Sequence, residues 1–348
     1  MKIAITTVQA PFIKGGAELH ANNLKNAFLE AGYEADIITL PFMDNPASLI
    51  PDHIVAARLL EIENIWAGKV DLCVGLKFPA YCIPHTNKII WALHQHRAAY
   101  DLFDTEYSHL KNNAEGLNIK QIITNADNIY LKEAKRIYAN SLNVAKRMKK
   151  FNNIEAKPLY HPCPDMDKFY CGESENYILM PSRITITKRQ LLAVKAMKYV
   201  KSNMKLYIVG RADNPYEKER LIKEIHKSHL EHKVKLFDYV DQKTKFELYA
   251  NAKAILFIPL DEDYGYITLE AMASSKAVIT AEDSGGPLEF VTNGETGYVV
   301  KPEAQAIADQ IDCLAAENGL AKILGKRSKD KLENMNITWE HVVKELVK

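Results

Sequence analysis

The sequence is short of the features that mark several large classes of protein. Its 348 residues include only five cysteines, an odd number with no Cys-x-x-Cys pair, so neither a disulfide framework nor a zinc site is expected. Lysine and arginine (45) nearly balance aspartate and glutamate (44), which leaves no overall field to attract nucleic acid. No apolar run approaches the ~20 residues of a membrane span, and "MKIAITTVQAPF" is too short an apolar run for a secretory signal. We therefore expect a cytoplasmic protein whose membrane contact, if any, is peripheral.

What the sequence does contain is an alternation of strand and helix patterns, twice over. Runs such as "KIAITTV" and "EADIITL" are rich in β-branched residues, and the stretch between them carries leucine and phenylalanine at helical spacing. The rhythm restarts at "YILMPS", after a polar segment at 160–176 that contains prolines and a glycine and reads as a domain linker. This alternation indicates parallel sheets with helices on both faces. Helices are predicted over 53–68, 303–319 and 339–347, and Ser141 is the predicted N-cap of another.

Ligands of such sheets bind beyond the carboxyl ends of the strands, where turn amides and helix N-termini point. Gly15 and Gly16 follow the first strand and would let a phosphate approach closely, although a flexible loop explains them as well. No Gly-x-Gly-x-x-Gly is present, which disfavours an NAD-binding domain. Arg183 and Lys188 follow the first strand of the second half and suit a diphosphate, although solvated surface charge is the better explanation in isolation. Gly210 also follows a strand, and a simple turn explains it equally.

The stretch "DEDYGYITLEAMAS" follows the apolar run "AILFIPL" and has to turn a corner and begin a helix. The amides of Tyr266 and Ile267 would form the helix N-terminus, which is an anion site. Glu270, one turn into the helix, would repel a phosphate but can accept hydrogen bonds from ribose hydroxyls. Glu262, in the loop, can accept them from a second polyol. Two glutamates that flank an anion site predict a ligand with hydroxyl groups at both ends and phosphates between, such as a nucleotide-sugar.

Taken together, these residues resemble the family-four retaining glycosyltransferases of the GT-B fold, the glycosyl transferases of group 1. The resemblance rests on the Gly-Gly-x-Glu turn at 15–18, the Arg-x(4)-Lys spacing of Arg183 and Lys188, and an E-x(7)-E element from Glu262 to Glu270. The segment "HQHRAAYDLF" is similar to one bacterial polysaccharide subgroup. The resemblance implies an α/β protein of two Rossmann-like, doubly wound domains that face each other across a cleft, with no metal or other cofactor.

The resemblance also implies a division of labour between the domains. Residues 1–165 would bind the acceptor, residues 166–335 the donor, and residues 336–348 would form a helix that packs back on the first domain. The partners would be a UDP- or GDP-linked sugar and a glycan, lipid-linked or small-molecule acceptor with a hydroxyl group, in polysaccharide or glycoconjugate synthesis. The lysines of "KRMKK" at 146–150 could touch anionic lipid, but a solvated helix face explains them better.

Individual roles follow from the same resemblance. His94 would reach the transferred sugar, with His96 as the alternative match, and Glu262 would hold sugar hydroxyls. Arg183 and Lys188 would stabilise the departing diphosphate. The expected catalytic residues are therefore His94, Arg183, Lys188 and Glu262. The expected donor-binding residues are Gly15, Gly16, Gly210, Arg211, Asp238, Tyr239, Gly265, Tyr266, Ile267, Thr268 and Glu270.

Two residues depart from the family pattern. Arg189 stands where a glycine usually follows the lysine, which leaves the loop's shape open, and Asp238 stands where glycine is common.

Three other functions stay open. One alternative is a metal-dependent transferase, because Asp-x-Asp triplets occur at 165–167 and 261–263. The others are a same-fold epimerase or phosphorylase and a non-catalytic nucleotide-binding protein. The expected mechanism is front-face transfer with retention of configuration, in which the leaving oxygen helps to deprotonate the acceptor.

Overall fold

Each half of the chain is built on its own six-stranded sheet. The pairings between neighbouring strands of both sheets are parallel, as the alternation of strand and helix patterns predicts. The computed structural model describes residues 1–10, 12, 15–317 and 319–348. Internal contacts divide the chain into unit 1, Met1–Pro164 with Thr338–Lys348, and unit 2, Asp165–Ile337.

Side chains cap the helices of unit 1 where the sequence signals their starts. The Glu18 carboxylate accepts the amide hydrogen of Gly15 at 2.7 Å, which satisfies one of the amides left open at a helix start. The Ser141 hydroxyl accepts the Val144 amide hydrogen at 3.0 Å, so the predicted N-cap is confirmed. In chain order the elements are β1 (Lys2–Gln9), α1 (Gly16–Glu30), β2 (Glu34–Pro41), α2 (Ile50–Leu59), β3 (Asn64–Ile65), β4 (Gly68–Lys69), β5 (Leu72–Gly75), β6 (Lys88–Ala92), α3 (Ala114–Tyr130), β7 (Arg136–Ala139), α4 (Leu142–Asn152) and β8 (Lys157–Pro158).

Both faces of the unit 1 sheet are covered. Its strand order is β2-β1-β5-β6-β7-β8. Successive side chains of a strand point to opposite faces, and on β1 Ala4 packs into one buried cluster while Ile3 and Ile5 pack into another. Burial on both faces explains why β5 and β6 read as nearly continuous apolar runs and do not alternate with polar residues.

The helix predicted over 53–68 is wrong in its second half. Helix α2 stops at Leu59, and β3 and β4 form an antiparallel hairpin after it. The Glu61 carboxylate accepts the amide hydrogens of Glu63 and Asn64 at 2.8 and 3.1 Å. This local bonding gives the two amides an acceptor outside the helix and competes with its continuation.

Unit 2 repeats the alternation with shorter connections between strand and helix. Asn214 and Asp241 cap two of its helices, each accepting a backbone amide hydrogen three residues ahead, at 3.0 and 2.7 Å. The elements are β9 (Tyr177–Pro181), α5 (Gln190–Ala196), β10 (Lys205–Val209), α6 (Pro215–Lys227), β11 (Val234–Phe237), α7 (Gln242–Asn251), β12 (Ala254–Leu256), α8 (Tyr266–Ala273), β13 (Val278–Ala281), α9 (Pro287–Phe290), β14 (Gly297–Val300), α10 (Ala304–Ala316) and α11 (Leu320–Asn334).

The strand order of unit 2 identifies where a ligand would bind. The order is β11-β10-β9-β12-β13-β14, so the chain winds outward in one direction from β9 and then in the other from β12. This is the doubly wound order of nucleotide-binding sheets. The winding reverses between β9 and β12, and the crevice beyond the carboxyl ends of those strands is the switch point at which such sheets bind ligands.

The last helix, α12 (Trp339–Val347), belongs to unit 1 although it follows unit 2 in the chain. The Arg136 guanidinium donates to the carbonyls of Glu345 and Leu346 at 3.1 and 3.2 Å. The Tyr138 hydroxyl also donates to the Glu345 carbonyl, at 3.1 Å. The last carbonyls of a helix have no partner within it, so these bonds fix the end of α12 against β7.

Candidate active site

Three loops meet at the carboxyl edge of the unit 2 sheet. They follow β9, β12 and β13, and backbone hydrogen bonds join them directly. The Leu260 amide donates to the Thr187 carbonyl at 2.8 Å, and the Glu262 amide donates to the Ser284 carbonyl at 2.9 Å. The Gly286 amide donates back to the Glu262 carbonyl at 2.7 Å. These bonds hold the side chains of the three loops in defined positions beside the switch point.

An ion pair joins two of the predicted catalytic residues. The Lys188 ammonium, at the end of a short 3-10 turn after β9, donates to the Glu262 carboxylate in the loop after β12. The ring of Phe257 lies beneath the ammonium, with its centroid 5.4 Å away. Both charged groups are largely shielded from water, which strengthens their interaction. The predicted cation and the predicted hydroxyl acceptor are therefore direct neighbours.

Arg183 lies in the same loop as Lys188 but is far more exposed. Its side chain is 69% exposed, against 15% for Lys188. The guanidinium donates from Nη1 to both carboxylate oxygens of Asp213 at 3.0 Å. A surface ion pair of this kind contributes only ~0–1 kcal/mol. The present partner of Arg183 is therefore easily exchanged.

Arg189, one of the two residues that depart from the family pattern, has the conformation that a glycine would favour. Its φ is 58° and its ψ is 35°, in the left-handed region. Its guanidinium donates from Nη1 and Nη2 to the two oxygens of Asp283, each at 2.7 Å. This two-bond contact ties the loop after β9 to the loop after β13 and offsets the cost of the backbone conformation. The loop is thus held in one conformation by a contact that glycine could not make.

Two of the predicted donor-binding glycines are required by close packing. Gly210, after β10, has a φ of 152°, and a Cβ atom there would lie 1.9 Å from the Ser182 carbonyl oxygen. Gly265 precedes α8 with a φ of 90°, and its Cβ would lie 3.1 Å from the Phe257 ring. Side chains at either position would push apart the loops that carry the charged groups. Both glycines therefore shape the edge of the sheet.

Helix α8 begins at Tyr266, as the stretch "DYGYITLEAMA" predicts. The amides of Tyr266 and Ile267 lie in its first turn, at the positive end of the helix. Thr268 is completely buried, and its hydroxyl has no hydrogen-bond partner within the described part of the chain. The N-terminus of α8 lies directly after the loop that carries Glu262.

Glu270 is buried one turn further along α8 and is held from α7. Its Oε1 accepts from the Lys245 ammonium at 2.6 Å, and its Oε2 accepts from the Tyr249 hydroxyl. A carboxylate has about four acceptor positions. Two hydrogen bonds fix the orientation of Glu270 and leave acceptor capacity for a ligand hydroxyl.

The residues after β10 and β11 form an exposed surface. The Arg211 guanidinium lies 4.9 Å from the centroid of the Tyr239 ring, which is itself exposed. Asp238 accepts from the Lys218 ammonium at 2.7 and 2.6 Å. A planar cation over an aromatic ring is a surface on which a flat group can stack.

The sequence does not predict five residues of unit 2 that pair with the charged side chains of the site. Each predicted side chain is paired with a residue from another element, and nothing in the spacing signals the pairing. The partners are Asp213 for Arg183, Lys218 for Asp238, Lys245 and Tyr249 for Glu270, and Asp283 for Arg189.

In unit 1 the predicted residues follow β1 and β6. Gly15 and Gly16 are exposed at the start of α1, next to residues 13–14, which lie outside the described part of the chain. His94 is half-buried, and its Nδ1 lies 2.6 Å from the Gln95 carbonyl oxygen. A carbonyl only accepts, so Nδ1 carries the proton in this contact. His96 is buried, and burial lowers its pKa to about 3, so its imidazole is neutral.

A buried polar network holds the loop that carries both histidines. The Gln95 amide donates to the Asn152 side chain, which in turn donates to the Tyr100 hydroxyl at 3.2 Å. The hydroxyls of Tyr100 and Tyr81 donate to the buried Asp127 carboxylate at 2.7 and 2.8 Å. Burial raises the pKa of Asp127 to about 7. His94 therefore follows a strand and sits on a fixed loop.

The lysine-rich stretch of α4 divides between interior and surface. Arg147 and Met148 are buried, whereas Lys149 is exposed and pairs with Glu155 at 2.5 Å. Lys150 lies over the Phe151 ring, 5.0 Å from its centroid. Among the helices of the described residues, none combines the length and the apolar composition that crossing a membrane requires.

Comparison with known proteins adds to this geometry. Residues 165–331 match the model of the family "Glycosyl transferases group 1". A protein of Methanocaldococcus jannaschii named Uncharacterized glycosyltransferase MJ1607 is 24% identical over an alignment that covers 100% of this chain and 97% of that protein. The capsular polysaccharide biosynthesis glycosyltransferase CapM of Staphylococcus aureus is 32% identical over 113 residues, 31% of this chain and 29% of that protein.

A solved structure shows the same fold over the full length. Anabaena Alr3699/HepE, determined in complex with UDP and glucose, is similar with a TM-score of 0.72 and 16% identity, covering 100% of this chain and 99% of that one. The two parallel six-stranded α/β sheets are those of the GT-B fold. Over residues 165–331 the chain matches the glycosyl transferases group 1, a family of retaining glycosyltransferases, and with the GT-B fold this makes it a glycosyltransferase that takes the transferred sugar from a nucleotide-sugar.

Proposed function

We propose that unit 2 binds the nucleotide-sugar donor along the carboxyl edge of its sheet and that unit 1 binds an acceptor hydroxyl. The Lys188–Glu262 ion pair carries this proposal, because interlocked loops hold it beside the switch point. Its two charges suit the two parts of a donor at the scissile bond. The ammonium suits the diphosphate, and the carboxylate suits the hydroxyls of the sugar.

The two cations near the switch point would stabilise the leaving group. As the glycosidic bond breaks, negative charge grows on the diphosphate oxygen, and cations already in place lower the energy of that state. Arg183 can exchange Asp213 for the diphosphate at little cost, because its present ion pair is exposed. Lys188 is held in a more shielded position, where each charge acts more strongly.

The nucleoside would occupy the sites on either side of this pair. Glu270 has its orientation fixed by Lys245 and Tyr249 and can accept from the ribose hydroxyls. The Arg211–Tyr239 surface suits the base, and the α8 N-terminus suits a phosphate or a sugar hydroxyl. Asp238, at the edge of that surface, can accept from the base.

Transfer with retained configuration would proceed on one face of the sugar. Glu262 and Glu270 are each held by a lysine, which suits them to binding hydroxyls and not to attack on the anomeric carbon. The leaving diphosphate oxygen can instead take the proton of the incoming hydroxyl. In this scheme His94 contacts the transferred sugar, and Gly16 lies against the distal phosphate.

The acceptor class follows from the relatives by analogy. CapM is named for capsular polysaccharide biosynthesis, which supports a growing glycan or its lipid-linked precursor as the acceptor class. HepE was solved with UDP and glucose, which makes UDP-sugars the first donors to test. Contact with a membrane through the exposed lysines of α4 is compatible with a lipid-linked acceptor.

A donor screen tests the proposal. The full chain is incubated with UDP- and GDP-sugars, with and without polyol acceptors, and the product's anomeric configuration is read by NMR. One donor should yield an α-linked product only when an acceptor is present. Thermal shift with UDP and GDP should show stabilisation by the matching nucleotide. Conversion of the donor to an epimer, or nucleotide binding with no turnover of any donor, would refute transfer.

A further inference from the structure

We infer that unit 1 contains a binding site for a divalent transition-metal ion, formed by Asp44, His96 and His109. One ligand atom from each of the three residues lies within 4.8 Å of the other two. Asp44 lies in the loop after β2, His96 in the segment after β6, and His109 in the connection that leads to α3. Residues far apart in the sequence thus bring three metal-ligating groups together on one unit.

His96 provides an independent reason to expect a ligand. Its side chain is only 8% exposed, and its buried Nε2 has no hydrogen-bond partner within the described part of the chain. The rings of Phe42, Phe78 and His109 surround it, with centroids 6.1, 5.4 and 5.2 Å away. Buried polar atoms in native proteins are nearly always satisfied, so an unbonded imidazole nitrogen beside two other ligand groups indicates a missing partner.

The ligand types suit zinc. Two imidazoles and a carboxylate, with a water in the fourth position, are a common zinc environment. Zn–N and Zn–O distances of ~2.0–2.2 Å place the ligand atoms of a tetrahedral site roughly 3.4 Å apart. The His109 Nδ1 and the Asp44 Oδ2 are 3.9 Å apart, so one edge of the site is nearly closed. Both of these side chains are exposed and can rotate toward the buried His96.

The charges around the site predict modest affinity. Lys77 lies close enough to His96 to act on it electrostatically and would repel a cation. Asp44 supplies one negative charge to offset it. With only one anionic ligand, the site should bind more weakly than zinc sites that contain thiolates. An ion bound there would cross-link three loops of unit 1, which is a structural role and needs no part in sugar transfer.

Zinc titration of the metal-stripped full chain tests this inference. The background variant is Cys171→Ser, because the exposed thiol of Cys171 could bind zinc itself. Equilibrium dialysis gives the stoichiometry, and tryptophan fluorescence follows melting of unit 1, since Trp66, Trp91 and Trp339 all belong to it. We expect one ion per chain and, at ~100 times the Kd, a rise in melting temperature on the order of 5–10 °C.

Two ligand variants and a matched control locate the ion. Asp44→Asn and His109→Gln, both at exposed positions, should each weaken zinc binding at least ~10-fold. The control is His226→Gln, which removes an exposed histidine 2.8 Å from Glu231 and should leave the affinity unchanged. No bound ion, or zinc affinity that neither ligand variant changes, would overturn the inference. The readouts are binding and melting, so the outcome is independent of the donor screen.

Discussion

Two sets of polar side chains, the predicted donor site of unit 2 and the network behind the histidine loop of unit 1, are held in opposite ways. In unit 2 the predicted site residues form pairs of opposite charge between different loops and helices, such as Lys188 with Glu262 and Lys245 with Glu270. In unit 1 the buried groups around the loop that carries His94 and His96 are neutral or only partly ionised. Asp127 accepts from two tyrosine hydroxyls with a raised pKa, and the His96 imidazole is uncharged.

This difference separates two uses of polar residues. A charge paired with a side chain can exchange that partner for a charged ligand, so the pairs of unit 2 suit a site that binds and releases a diphosphate. A neutral group buried in a hydrogen-bonded network cannot make that exchange cheaply, because any change leaves a buried atom unsatisfied. The network of unit 1 therefore suits the fixing of loop shape.

The largest expected effect comes from removing a cation of unit 2. Lys188→Ala and Arg183→Ala should each lower kcat by ~10²–10³, since each cation acts on charge that develops as the bond breaks. The donor KM should change less than kcat does. The double variant should fall short of the product of the single effects, because both cations act on one diphosphate. Steady-state kinetics with the donor found in the screen measures all three.

The matched control for these variants is Lys223→Ala. Lys223 is an exposed lysine of α6 that pairs with Glu219 at 2.8 Å, outside the switch point. Its removal should leave kcat unchanged. Turnover near the wild-type value in either site variant, or a requirement for added Mn²⁺, would show that these cations do not replace a metal ion at the leaving group.

The next effect concerns donor affinity. Glu270→Gln keeps the shape of the side chain but removes the charge that binds ribose hydroxyls, so the Kd for the nucleoside diphosphate should rise. Hydrogen bonds to a charged group contribute ~1.5–3 kcal/mol each, which corresponds to roughly 10–100-fold. Calorimetric titration measures the Kd, and Glu219→Gln serves as the exposed control. Wild-type affinity in Glu270→Gln would remove this residue from the donor site.

The network of unit 1 predicts a dependence of stability on pH. The pKa of Asp127 is raised to about 7, so the folded state binds its proton more tightly than the unfolded state. This stabilisation is complete below the ordinary aspartate pKa of ~4 and is lost as the pH rises toward 7, by up to ~1.4 kcal/mol per pH unit. Asp127→Asn has no such proton to lose.

Urea unfolding followed by tryptophan fluorescence reports on unit 1, because the three tryptophans lie there. Between pH 5 and pH 7 the free energy of unfolding of wild type should fall relative to that of Asp127→Asn. Other titrating groups are common to both proteins and cancel in the difference. A difference that is constant over this range would mean that Asp127 is ionised throughout.

The smallest effect concerns the unusual backbone at Arg189. Arg189→Gly loses the contact with Asp283 but relieves the left-handed conformation, so the two changes largely cancel. Arg189→Ala loses the contact and keeps the strain, and should be less stable than the glycine variant by about 1 kcal/mol. Differential scanning calorimetry measures both. Equal stability of the two variants would show that the backbone conformation carries no cost here.

The sequence predicts the positions of site residues that lie just after a strand or at the start of a helix. The strand before Arg183 and Lys188, the start of α8 at Tyr266 and the helical position of Glu270 were all predictable, because local patterns specify them. Helices α3 and α11 were not predicted. Helix α3 contains a glycine at 116 and many asparagine and β-branched residues, which lowers its intrinsic helix propensity. Tertiary packing of Ile119 and Ile123 stabilises it instead.

The sequence does not predict the partners of the charged residues, and the reason is different. Asp213 is 30 residues from Arg183, and Asp283 is 94 residues from Arg189. Which carboxylate meets which cation depends on strand order, and strand order is a property of the whole sheet. The burial of His96 and Asp127 had the same origin, since a histidine or an aspartate in a loop gives no local signal of the rings and hydroxyls that will cover it.

The position of α12 has a consequence for how the protein is made. The chain leaves unit 1 at Pro164, completes unit 2, and returns to unit 1 only at Thr338. A ribosome therefore delivers every residue of unit 2 before it delivers the helix whose end β7 holds through Arg136 and Tyr138. Domains generally fold as units during synthesis. The unit that starts first is thus the last to be finished, because Val342 and Leu346 can pack into its core only after unit 2 has been synthesised.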